Sequence, residues 1–205
     1  MWTKKKVKKH YKKMWSMFAE YFKLETDLDK FLKSIEKENN VKTSIKFKVS
    51  SYFSSGIDIS GKHITLDISC SNKQKSVNQS KISLLRISLH ELSHLYINLL
   101  LAVKGKKWCD YVYAEINKPN LYPAKNITTF KPLEEAICEL LAYKVVSFHN
   151  ITASPTCPYD NELVQRLYIE ILNYTNKQLL NLIPIDEIKL KAHKQLLESE
   201  IKLLK

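Results

Sequence analysis

His90-Glu91-Leu92-Ser93-His94 lies inside a stretch, Ile82 to Val103, that contains neither glycine nor proline. Ile82, Leu85, Leu89, Leu92, Leu95, Tyr96, Leu99 and Leu100 put apolar side chains on most faces of a helix over 80–103, the pattern of a buried central helix. On such a helix positions i and i+4 share a face, so His90 and His94 can close on one metal ion. Glu91 stands beside them, near enough to reach a water held there without itself being a ligand. A composition like this one produces the pattern by chance in about 1% of chains. Two imidazoles and a carboxylate are costly to bury in an apolar helix unless they are paired or metal-bound. The competing reading is a pair of satisfied core histidines.

Working outward, Ser60-Gly61-Lys62 separates Ile57-Asp58-Ile59 from His63–Ile68 and predicts a β-hairpin over 57–68. Before it, Val41, Thr43, Ile45, Phe47 and Val49 alternate with Lys42, Ser44, Lys46, Lys48 and Ser50, a half-buried strand over 41–53. Trp15, Phe18, Phe22, Phe31, Leu32 and Ile35 recur at helical spacing in one or two helices ending at Asn39-Asn40. Residues 71–79 and 104–131 read as loops. Pro132 opens the next helix, through Leu133, Ala136, Ile137, Leu140, Leu141, Val145 and Phe148. Ser154–Tyr159 breaks the chain, and helices are expected at 160–174, 176–182 and 186–204. The expected class is α+β: a small sheet packed on the motif helix, with a helical C-terminal part. One domain over 1–205 is expected, comprising a basic helical segment (1–40), a core (41–150) and a helical end (151–205).

The metal expected at the histidines is zinc, which lowers the pKa of a water it holds toward 7 and polarises a carbonyl. Glu91 would take the water's proton and pass it to the leaving amine, so hydrolysis of a peptide or protein substrate is the expected chemistry. A third ligand is required. His149 is distant in sequence, and the acids of Leu133–Tyr143, clustered at the favoured end of a helix, are the better supply. Ile97 and Leu100 stand where a metzincin has Gly and His, which excludes that class.

His-Glu-x-x-His followed by a helix with acids resembles the gluzincin clan of zinc metallopeptidases. The resemblance implies a minimal zincin-like fold. It makes Glu135, followed by the small Ala136, the third ligand, and Glu134 is its competitor. It makes Glu139, one turn on, the acid that supports the first zinc histidine. A carboxylate there would also fix the tautomer of His90. More locally, Glu134, Glu135, Ile137, Cys138 and Ala142 match a segment of the plant LIM-domain ubiquitin-activated peptidases. Ala136 departs from that segment's glycine, and the LIM-type cysteine framework is missing. The clan further implies an oxyanion-stabilising Tyr or His, with Tyr113, Tyr122, Tyr143 and His149 as candidates. It also implies a strand edge, within 57–68, to which a peptide could add.

Composition bounds the partners. Hydrophobic residues make up 44% of the 205, a globular content. The net charge of +12 suits an anionic partner, but Arg86 and Arg166 are the only arginines among 33 basic residues. Nucleic-acid surfaces lean on the arginine fork, so nucleic acid is weakly supported. A regulatory, DNA-associated protein of the ImmA/IrrE type, which carries a similar motif, is the alternative, as is a latent or inactive metal-binding scaffold. The basic N-terminus lacks the apolar run of a signal peptide, and no stretch is long enough to span a bilayer. None of the four cysteines forms a Cys-x-x-Cys pair, and Cys138 reads as a buried thiol. A reducing, cytoplasmic setting is expected.

Overall fold

The computed structural model describes residues 1–71, 81–105, 132–158 and 161–203. The chain is α+β, with a three-stranded sheet and seven helices among the described residues. Two compact units divide it. One takes Met1–Leu99 with Cys138–Thr156, and the other Leu100–Ile137 with Cys157–Lys205.

The first unit begins with helices α1 (Lys4–Phe22) and α2 (Leu28–Asn39). The Thr3 side chain caps α1 by accepting from Lys6 N–H, and Asp27 caps α2 by accepting from Lys30 N–H at 3.0 Å. Both helices end on a left-handed residue, Lys23 and Asn40. Asparagine tolerates that conformation better than most side chains, which explains why Asn39-Asn40 stops α2. Val7, Tyr11, Trp15 and Phe18 bury the apolar stripe of α1, while Lys4, Lys5, Lys6, Lys8, Lys9 and Lys13 stay exposed. The apolar face is therefore committed to the core and leaves only charge outside.

Glu36 of α2 accepts from the backbone N–H (2.6 Å) and hydroxyl (3.1 Å) of Thr43, pinning the start of β1 (Lys42–Ser50). Strands β2 (Ser54–Ser60) and β3 (His63–Ser71) form the expected hairpin. Its two-residue loop puts Gly61 at φ 57°, a conformation that a β-carbon would strain. The strand order is β1-β3-β2, with β1 parallel and β2 antiparallel to β3. The register aligns Ile45 and Ile57 on either side of Leu66, and Phe47 and Ser55 on either side of Ile68. One face therefore carries Ile64, Leu66, Ile68 and Cys70, all buried. The opposite face is polar, with Ser44 bonded to Thr65 at 3.1 Å and Lys48 paired with Asp67 at 3.0 Å. Within 57–68 the edge expected of the hairpin falls on β2, because β3 lies at the centre of the sheet.

Helix α3 (Lys81–Ala102) carries the His90–His94 motif. Leu89, Leu92, Ser93, Leu95, Ile97 and Leu99 are all buried, as a helix apolar nearly all round requires. Helix α4 (Pro132–Phe148) opens on Pro132 and carries Glu134 and Glu135 in its first turn. The loops expected at 71–79 and 104–131 fall, from residues 72 and 106 onward, outside the described residues.

The second unit contains α5 (Glu162–Ile171), α6 (Asn176–Leu180) and α7 (Glu187–Leu203). Leu163, Val164, Leu167, Tyr168 and Ile171 form the buried stripe of α5. A reciprocal capping box between Thr175 and Gln178 starts α6. Arg166 of α5 reaches Glu200 of α7 at 3.3 Å, and buried His193 donates from Nδ1 to the Leu182 carbonyl at 3.0 Å. No helix among the described residues is long and apolar enough to cross a membrane.

Candidate metal centre

The two motif histidines turn toward each other. Their rings stand 4.7 Å apart at 77°, and His90 Nε2 lies 3.0 Å from His94 Nε2. Two imidazole nitrogens on one tetrahedral zinc, at bond lengths of 2.0–2.1 Å, would stand about 3.3 Å apart. The observed separation suits shared ligation.

The other ring nitrogen of His90 meets an acid. Nδ1 lies 3.0 Å from Oε2 of Glu139, and both side chains are nearly buried. A carboxylate at that distance favours a proton on Nδ1 and so leaves the lone pair on Nε2, the tautomer a metal ligand needs. Oε1 of Glu139 takes the Nε–H of Arg86. The Arg86 guanidinium also donates from Nη1 to the Ser154 carbonyl at 2.6 Å and from Nη2 to the Thr156 carbonyl at 2.7 Å. It lies over the Tyr143 ring, 5.8 Å from its centre.

Two one-turn series are therefore matched. Arg86, His90 and His94 follow one stripe of α3, and Glu135, Glu139 and Tyr143 follow one stripe of α4. His90, His94 and Glu135 each offer a ligand atom within 4.8 Å of one another. A second set, His94, Glu134 and Cys138, meets the same limit. Only the first contains both motif histidines, and its nitrogen and oxygen donors fit zinc with one position left for water or substrate. Glu134 is almost wholly buried, whereas Glu135 is partly accessible.

Glu91 points to the sheet. Its Oε2 accepts a hydrogen bond from the Ser55 hydroxyl of β2 at 2.8 Å. Tyr11 of α1 is a buried neighbour whose hydroxyl donates to the Ser69 carbonyl at 3.3 Å. Burial first, then the Cys70 thiol and the Glu91 charge, hold that phenol well above its usual range and keep it neutral.

Of the candidate oxyanion residues, Tyr113 and Tyr122 lie outside the described residues. Tyr143 stacks with Arg86. His149 is turned to α1, with Nε2 3.0 Å from the Met17 carbonyl and 3.9 Å from a Glu20 carboxylate oxygen. Sequence reasoning missed Arg86 and Ser55. Arg86 had a signal, being one turn before His90 and one of two arginines in a lysine-rich chain. Ser55 had none, because its role depends on the β2–β3 register. No protein family, no curated protein and no solved structure matches the chain.

Proposed function

We propose that this chain is a zinc-dependent peptidase of the gluzincin kind, with His90, His94 and Glu135 holding the metal. The observation that carries the reading is the approach of the two Nε2 atoms to 3.0 Å while the far nitrogen of His90 rests against Glu139. Zinc bound there would lower the pKa of water toward neutrality and polarise a substrate carbonyl.

The chain's own residues supply the rest. Glu91 accepts a proton from water and delivers it to the leaving amine nitrogen. Ser55 holds one oxygen of Glu91, which leaves the other for that transfer. Glu139 orients His90. Among the described residues no strand pairs with the outer side of β2, so a peptide can add there by backbone hydrogen bonds beside Glu91. A reducing, cytoplasmic setting belongs to the same reading, and the free, buried thiol of Cys70 is in keeping with it. Glu91→Gln should keep its zinc and lose cleavage of an unfolded casein-type substrate. A variant that keeps both zinc and the wild-type rate removes Glu91 as base.

A second reading rests on the exposed lysines of α1, which offer charge without an insertable apolar face. In it the chain works beside nucleic acid as a regulatory protein of the ImmA/IrrE type. Its mark would be DNA binding that weakens steeply with salt and is lost when Lys4, Lys5, Lys8 and Lys9 are replaced.

A further inference from the structure

Arg86 does more than join two segments. Glu139 divides its two oxygens between Arg86 and His90, so a single carboxylate connects a permanent cation to an imidazole. The Glu139 side chain is 4% exposed and that of Arg86 13%. An ionised carboxylate that far from water is costly unless it is paired and hydrogen-bonded, and Arg86 meets both needs. The guanidinium is itself held on three sides: by Glu139, by the carbonyls of Ser154 and Thr156, and by the Tyr143 ring. A planar fork can serve a carboxylate and two carbonyls at once, while an ammonium on a flexible stem cannot hold the same three acceptors in one plane. In a chain whose other cations are lysines apart from Arg166, arginine stands where a fork is required.

We infer that Arg86 is a positioning residue of the metal centre, acting through Glu139 to set the tautomer and ring orientation of His90. The inference rests on the metal reading above and extends it to a residue outside the His-Glu-x-x-His motif. Arg86 lies one turn before His90 on α3 and touches none of the ligand atoms, so its influence on metal must pass through Glu139. The segment 154–156 then acts as an anchor. Its two carbonyls keep the fork from following a moving carboxylate.

The test is a double-mutant cycle on zinc affinity, measured by competition with a chromogenic chelator. The proteins are the full chain, Arg86→Gln, Glu139→Gln and the pair together, with Arg86→Lys as the conservative variant. Each single change should weaken zinc binding by about tenfold or more, the usual effect of removing support behind a ligand. The double variant should be no weaker than Glu139→Gln alone, because both changes act through one histidine. Arg86→Lys should fall between wild type and Arg86→Gln. Circular dichroism and urea unfolding of the metal-free proteins separate lost folding from lost positioning. If Arg86→Gln does not fold, Arg86→Lys against Glu139→Gln reads the same coupling. Full zinc affinity in a folded Arg86→Gln or Arg86→Lys variant, or strictly additive losses, overturns the inference while leaving the metal reading intact. A wild-type chain that takes up no zinc overturns both.

Discussion

The Ser55 hydroxyl on β2 donates to Oε2 of Glu91 on α3 at 2.8 Å, so the sheet edge and the motif helix meet at the residue assigned as general base. The bond leaves one carboxylate oxygen for proton transfer and limits rotation of the group. Ser55→Ala should lower the cleavage rate by about tenfold, since a hydrogen bond to a charged group is worth roughly 1.5–3 kcal/mol and part of that is recovered from water. Zinc content should not change. Steady-state kinetics beside metal analysis checks both halves of the statement.

Glu134 and Glu135 are adjacent on α4 but point about 100° apart on the helix. Glu135→Ala should lose most of its zinc, and Glu134→Gln should remain stoichiometrically loaded. Metal content after dialysis against a weak chelator separates the two, and the opposite pattern would make Glu134 the ligand.

Leu66 sits on the central strand between Ile45 and Ile57 and is 1% exposed. Leu66→Ala should cost about 2–5 kcal/mol of stability, read from urea unfolding, because truncating a buried leucine loses its transfer energy and leaves a cavity. The same change on the polar side of the sheet, Lys46→Ala, should cost under about 0.5 kcal/mol.

Burial holds the pKa of His193 below its ordinary value, against a smaller upward pull from the Leu182 carbonyl and Glu134. His10 is shifted the same way, first by burial and then by Lys13. A histidine kept neutral in the fold binds its proton more readily once unfolded. Its contribution is therefore fully present above the unfolded value near 6.5 and is lost as pH falls toward the lower folded value. Stability should decline on acidification below about pH 6.5. His193→Asn, which keeps a donor for the Leu182 carbonyl, should flatten that decline when urea midpoints are compared across pH.

Much of this architecture could be read from spacing. The all-round apolar pattern gave α3, strict alternation gave β1, and Ser60-Gly61-Lys62 gave the hairpin. The i, i+4 histidines gave the helix face on which the candidate site lies, and Pro132 with the apolar spacing from Leu133 to Phe148 gave α4. The strand order could not be read, because alternation specifies which face is buried and not which neighbour pairs. Which strand of the hairpin forms the edge follows only from that order, with β2 outside and β3 central. Ser55 was hidden for the same reason. Arg86 was hidden because an arginine inside an apolar run reads as a solvated exception until its carboxylate and carbonyl partners, from Glu139 to Thr156, are seen.

Zinc-edge X-ray absorption on the purified chain tests the central claim most directly. The account predicts stoichiometric zinc with a first shell of nitrogen and oxygen only, at about 2.0–2.1 Å, two of the scatterers being imidazoles. A sulfur shell at about 2.3 Å would move the metal to the His94, Glu134 and Cys138 set. That result, or a protein that binds no zinc, would contradict the account.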